Sequence, residues 1–383
     1  ERRVAHAGGG ATWGELDAAT QAFALATPGG VFSRTGIAGL TLGGGYGWLR
    51  STYGLSCDNL IRAEVVTADG RTIVAGEGEG EDADLLWGLR GGGGNFGVVT
   101  RFTFRLHPVG PRVYFAVVFH DGEGEATGRV LRFFRDFCAE APNAVNPIAV
   151  CGIVPDGMEL FPEATWRKRY VMLGALYVGP PDEGERRLRP LRAFAAPLVD
   201  FSDVVPYVDA QQLWDADYPD GMRYYWKSLN LPRLGDDAID RIVSHARRQP
   251  SSLSTTDLWF RAGVVHREPP NGAAFRGRDA VALLGLEANW VDAADDERNV
   301  RWAREFIADM EPYSDGSRYL NFAGWHEEGE ALTRDTFGSH YARLVALKRR
   351  YDPTNVFRLN QNIDPSAADG ASERDTLGER AAT

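Results

Sequence analysis

The sequence predicts a two-part fold mixing α-helices with β-sheets, on three observations. Residues 1–108 read as short strands around glycine-rich loops, residues 112–335 alternate strand, helix and strand, and a helix at 336–351 is broken by Asp352-Pro353-Thr354-Asn355. A chain of 383 residues, 44% hydrophobic and 25% charged, has room for two cores. Its formal net charge of −11 argues against a nucleic-acid partner. No apolar run approaches the roughly 20 residues of a membrane span, so a soluble protein with no membrane partner is expected. Cys57, Cys138 and Cys151 contain no CxxC pair, which predicts neither a disulfide scaffold nor a metal site. Lysine occurs only at 168, 227 and 348, an arginine skew from which a GC-rich bacterial genome is expected. No signal-peptide pattern is present, and the expected location is cytoplasmic.

In order along the chain, residues 4–7 form a strand, and Thr12 with Glu15 makes a T-x-x-E capping box opening a helix to about Ala26. Thr27-Pro28-Gly29-Gly30 stops it. Residues 61–67 and 71–74 are strands joined by Ala68-Asp69-Gly70, a hairpin. An acidic helix start at 80–87 leads to the glycine run 91–94, and 98–106 alternates as a strand ended by His107-Pro108. Beyond it, residues 113–119, 170–178, 257–266 and 280–290 are β-rich, while 125–139, 183–194 and 296–310 carry helical spacing of apolar residues. Strands separated by amphipathic helices leave a parallel and an antiparallel sheet both open. Residues 356–363 read as a strand, and the tail after Pro365 as disordered.

The densest signal is TPGGVFSRTGIAGLTLGGGYGWLRSTYGLSCDNL, residues 27–60. Glycines at 29, 30, 36, 39, 43, 44, 45 and 47 mark backbone that takes positive φ or lies against something large and flat, with a bound cofactor as the candidate. Gly92-Gly93-Gly94-Asn95-Phe96-Gly97 satisfies GxGxxG, but the strand pattern that follows offers no helix N-terminus for a pyrophosphate. An NAD site therefore rests on that match alone. In 283–290 a period of two puts Gly285, Glu287 and Asn289 on one polar face, and in 257–266 it groups Trp259, Arg261 and Gly263. Such a face is either a substrate pocket or a solvated surface. Cys57 reads as a small buried cysteine.

Together with GLSCDNLIRAEVVTADG (54–70), DLLWGLRGGGGNFGVVTRFTFRLHP (84–108) and RRYDPTNVFRLNQNI (349–363), this segment resembles the bacterial berberine-bridge-enzyme-like oxidases. These are flavoproteins with an FAD-binding domain of p-cresol methylhydroxylase (PCMH) and vanillyl-alcohol-oxidase type. The resemblance covers residues 1–108 and 313–363 closely. It implies an α+β fold: a PCMH-type FAD-binding domain, incomplete at its N-terminus (1–108), then a substrate domain of antiparallel sheet covered by helices (109–335). A berberine-bridge-like segment (336–363) returns to the FAD domain before a disordered tail (364–383). The family's upstream segment carries a pyrophosphate loop and a flavin-linked histidine, a role that none of the histidines here inherits.

The resemblance implies an enzyme that moves hydride from an alcohol, sugar or secondary-metabolite substrate to flavin N5, then electrons to oxygen or another acceptor. The alternative is a relative that binds flavin weakly or not at all and has lost activity. The implied cofactor contacts are Thr35, Gly36, Gly39, Leu40, Gly43, Gly44, Gly45, Tyr46, Gly97, Val98, Asn360, Gln361 and Asn362. Phe32 replaces the cysteine that gives some members a second covalent flavin bond, so that bond is not expected. Tyr319 and Asn321 match a Y-x-N-[YF] pocket run and are read as sharing a strand face. Thr336 stands where plant members carry a catalytic tyrosine. The base then falls to Tyr319, with Arg261 favouring its phenolate, or to Glu287 on the facing strand, with Asn321 beside them.

Overall fold

The computed structural model describes residues 3–78, 81–324, 329–359 and 361–367. Two antiparallel sheets organise them, which decides the question that spacing left open. The smaller runs Val4–Gly8, Val98–Arg105, Leu60–Val66, Thr72–Gly76 in spatial order, with the last two joined as the predicted hairpin. The larger has the order Val199–Asp200, Arg112–Asp121, Arg169–Tyr177, Val145–Ile153, Thr255–Phe260, Ala282–Trp290, Arg223–Leu231, with Asp203–Pro206 also on Arg112–Asp121.

Both faces of the large sheet are buried, against different things. On one face, alternate strand residues such as Tyr114, Leu173, Leu258 and Leu284 meet the apolar stripes of helices Ala126–Glu140, Pro181–Ala193, Asp236–Ala246 and Asp296–Met310. Val130, Leu131, Phe134 and Cys138 show the spacing that makes the first of these stripes. On the other face, Phe115, Ile148, Trp259 and Leu283 pack against Tyr46, Trp48, Leu49 and Leu55 of the glycine-rich segment. The period of two therefore aims Gly285, Glu287 and Asn289 at the glycine-rich segment, and all three are buried.

Several elements differ from the pattern reading. The capping box forms as expected, with Thr12 N–H donating to Glu15 Oε2 at 2.8 Å, but the helix is Trp13–Gln21. Ala24 turns the chain at φ +52°, and Leu25–Ala26 pairs with His107–Pro108. The strand expected over 257–266 stops at Phe260, and Gly263–His266 is a 3-10 turn. Gly263 has φ +65° and lies so close to Ser51 that a Cβ would sit 2.5 Å from its carbonyl oxygen. Tyr319 and Asn321 are on a 3-10 turn over Leu320–Phe322, not on a strand. The helix predicted for 336–351 is two, Glu330–Phe337 and Tyr341–Tyr351, divided at Gly338 with φ +43°. No ladder forms over the described part of 356–363. Val356 and Phe357 donate their N–H groups to the Asp352 carboxylate at 2.7 and 2.8 Å, and Ile363 donates to Asn95 Oδ1 at 3.0 Å. Most of the tail, residues 368–383, lies outside the described residues.

Candidate active site

A cavity of about 310 Å³ lies between the glycine-rich segment and the large sheet. Its glycine-segment wall carries Val31, Phe32, Thr35, Gly39, Leu40 and Tyr46, and its opposite wall carries Trp226, Trp259 and Glu287. The 319–322 turn closes one end with Tyr319, Asn321 and Phe322. The large sheet positions the sheet-side residues, because strands Ala282–Trp290, Arg223–Leu231 and Thr255–Phe260 are neighbours. Trp226 is fixed by its indole N–H, which donates to Asn289 Oδ1 at 2.8 Å.

The expected site residues divide into those that face this cavity and those that do not. Thr35, Gly39, Leu40, Tyr46, Glu287, Tyr319 and Asn321 line it. A Cβ at Gly36 or Gly39 would meet nothing within 4 Å, so their bare backbone borders open space. Gly43, Gly44 and Gly45 answer to the protein's own packing. A Cβ there would overlap Asn321 Oδ1 at 2.0 Å, the Phe275 ring at 2.7 Å and Ser56 Oγ at 2.2 Å. Gly97 lies at the smaller sheet, where a Cβ would sit 2.6 Å from the Val66 carbonyl oxygen, and Val98 is exposed. The GxGxxG run leads into strand Val98–Arg105, with no helix after it. Asn95 of that run ties down the C-terminal segment, donating to the Gln361 carbonyl at 3.2 Å. Gln361 Oε1 and Asn362 Oδ1 are buried without a partner, and Asn360 lies outside the described residues.

Tyr319 is a structural junction. Its phenol oxygen accepts from Gly45 N–H at 3.2 Å, Tyr46 N–H at 3.3 Å and Asn321 Nδ2 at 2.9 Å, and Asn321 Nδ2 also donates to the Leu40 carbonyl at 3.0 Å. Burial pushes its pKa up, away from the range of a base at neutral pH, in spite of those donors. Arg261 does not counter this, which corrects the expected pairing. Its guanidinium lies 5.1 Å from the Tyr46 ring centre and donates to Asn230 and to the Gly277 carbonyl. Tyr46 itself is raised by burial.

Glu287 has the opposite character. It is 2% exposed, accepts a short hydrogen bond from the Tyr218 hydroxyl and shares one with Asp257, which is 4% exposed. Burial lifts Glu287 to about 7. Burial and then the Glu287 charge lift Asp257 well above the carboxylate range, so Asp257 holds the proton between them. Period-two alternation puts Asp257 on the Trp259 face and could have exposed this pair. Tyr218 sits in an irregular loop with no such signal. Cys57 is fully buried with its thiol pushed well up by burial, the inert cysteine that the sequence suggested.

A model of the family described as FAD binding domain matches residues 1–76, and one described as berberine and berberine like matches 318–364. An FAD-linked oxidoreductase of Dictyostelium discoideum is 30% identical over 93% of this chain and 74% of its own length. The chain belongs to the berberine-bridge-enzyme-like family of FAD-linked oxidoreductases. The (R)-6-hydroxynicotine oxidase of Paenarthrobacter nicotinovorans is 31% identical, covering 95% of this oxidoreductase and 78% of that enzyme. The solved structure of 6-hydroxy-D-nicotine oxidase from Arthrobacter nicotinovorans matches with a TM-score of 0.78 at 27% identity, over 95% of this chain and 79% of that one. FAD is therefore the cofactor of this oxidoreductase, and the residues present fit it. The open space beside Gly36 and Gly39 and the unpartnered amide oxygens of Gln361 and Asn362 are what a flat, polar-edged group would fill and bond.

Proposed function

We propose that the protein oxidises a small, largely apolar alcohol or amine in this cavity, with Glu287 taking the proton that leaves the substrate heteroatom. The observation that carries this reading is a buried carboxylate, poised near neutral pH, on the wall of an otherwise aromatic cavity. When bound, FAD supplies the acceptor for the hydride and its two electrons. Thr35, Gly36, Gly39, Leu40, Gln361 and Asn362 are the residues to hold it. Those electrons then go to oxygen or another small acceptor.

The chain's own residues divide the remaining work. Trp226, Trp259, Phe32 and Phe322 exclude water and orient an apolar body. Tyr218 and Asp257 hold Glu287 in place by hydrogen bonds. A proton arriving from an O–H or N–H goes to the Glu287 carboxylate, whose raised pKa suits it to that exchange. Tyr319 and Asn321 fix the glycine segment relative to the 319–322 turn instead of exchanging protons.

Anaerobic mixing of the FAD-loaded protein with a panel of aryl-alkyl alcohols, aryl-alkyl amines and oligosaccharides tests this. Loss of the flavin's visible absorbance with alcohols or amines is the expected result. Reduction by oligosaccharides alone would overturn the apolar substrate class, and reduction by none of the three would favour a relative without turnover.

A further inference from the structure

At one end of the cavity Glu287 lies on the wall with Asp257 beside it, two buried carboxylates, and among the described residues no arginine, lysine or histidine pairs with either. Among the described residues, the titratable groups that face them are Tyr218, which hydrogen-bonds to Glu287, with Tyr170 and Cys151 close enough to interact and Asp217 next to the two tyrosines. All are neutral or acidic, and the nearby Arg34, which donates to the Tyr218 carbonyl at 3.0 Å, is exposed and paired with Asp220. Burying a carboxylate without a counter-charge is unfavourable, and the Tyr218 hydrogen bond offsets that only in part. Asp257 Oδ1 is buried without any hydrogen-bond partner.

The rings beside this acidic end form a continuous chain. Phe32 meets Tyr218 edge-on at 4.6 Å between centroids, Tyr218 meets Trp226 at 5.6 Å, and Trp226 meets Phe322 at 5.2 Å. Elsewhere in the cavity guanidinium groups already cover the rings: Arg50 lies over Trp259 at 5.3 Å and Arg261 over Tyr46 at 5.1 Å. Arg50 also donates to the carbonyls of Gly47, Pro147 and Phe260, which leaves its charge unneutralised by any carboxylate. The cavity is thus electrically polarised, positive behind Trp259 and Tyr46 and acidic among Phe32, Trp226 and Phe322.

We propose that the Glu287 end is a subsite for the positively charged nitrogen of an amine substrate with an apolar body. This rests on the reading of the cavity as the substrate site and narrows its substrate class. The nitrogen completes the missing ion pair with Glu287 and lies against ring faces that attract a cation. Polarisation sets the orientation, since the two arginines repel a cation from the opposite end. A proton passed from that nitrogen to Glu287 leaves the neutral amine, the form whose lone pair supports loss of hydride from the adjacent carbon.

Binding of benzyltrimethylammonium and of its uncharged carbon isostere, neopentylbenzene, to the FAD-loaded protein tests the subsite without turnover. Calorimetry and perturbation of the flavin spectrum are the readouts. At pH 8 the cation is expected to bind at least about ten-fold more tightly than the isostere. Because the probe does not titrate, its affinity should fall as pH drops below about 7 and Glu287 is protonated. Glu287→Gln should bring the two affinities within about two-fold while retaining neopentylbenzene, which shows the cavity intact. Asp257→Asn, which keeps Glu287, should leave the cation preferred and guards against a misfolded first variant. Equal binding of the two probes to wild type, or a preference that survives Glu287→Gln, would overturn the subsite while leaving the cavity as the substrate site. Binding of neither probe would remove both readings.

Discussion

Glu287 and Tyr319 show how the same burial favours one candidate base and disqualifies the other. Burial penalises the charged form of each. For a carboxylate that moves the pKa towards neutrality, to about 7 for Glu287, whereas for a phenol it moves it further away. Work that needs ionised Glu287 should rise with pH through about 7. The kcat/KM of an uncharged alcohol substrate is expected to show that ascending limb, and Glu287→Gln to flatten it. Tyr319→Phe has a different signature. It leaves the N–H groups of Gly45 and Tyr46 and the Asn321 amide without their shared acceptor in a buried site. Denaturant unfolding should show a loss of about 1–3 kcal/mol. The sequence offered both residues as candidates, but the ranking between them depends on burial and on donors from residues 45, 46 and 321, which no local pattern encodes.

At the scale of elements, strands and turns were legible where the pattern needed only local chemistry. The Thr12–Glu15 box and the Asp69-Gly70 turn are examples, since side chain and backbone satisfy one another within a few residues. The reading failed where long-range bonds replace a ladder. Residues 356–363 alternate like a strand, yet Asp352 and Asn95 take their N–H groups. Loops 54–60 and 267–280 are held the same way, by Arg278 donating to both oxygens of buried Asp58 at 3.1 and 2.6 Å. Arg278→Met should leave that carboxylate buried and unpaired, at a cost of about 3–5 kcal/mol, measured as a lowered denaturation midpoint. A loss below about 1 kcal/mol would show that Asp58 finds another partner or is solvated.

For the whole molecule, antiparallel pairing became legible only through the family resemblance, because helices between strands are compatible with either sheet direction. The site was half legible: motifs marked the glycine wall, but sheet register alone brings Asp257, Trp226 and Glu287 together. Asp17 of helix Trp13–Gln21 was missed entirely. It is 1% exposed, accepts from Gln211 of helix Tyr207–Gln212 at 3.0 Å and is lifted by burial to about 7. A carboxylate with a folded pKa above its unfolded value of 3.8 gives its full stability below about pH 4 and loses it as pH rises through about 7. Asp17→Asn should therefore raise stability at pH 8 by on the order of 3 kcal/mol and change little at pH 4, read from unfolding at both pH values. Under the proposed function, Glu287 is the proton acceptor in an FAD-dependent oxidation. Anaerobic stopped-flow reduction of the flavin by a turned-over amine tests it most directly, comparing Glu287→Gln with Tyr319→Phe. The predicted result is a rate lowered by about 10²–10⁴-fold in Glu287→Gln and by less than about ten-fold in Tyr319→Phe. An undiminished rate in Glu287→Gln beside a crippled one in Tyr319→Phe would contradict it.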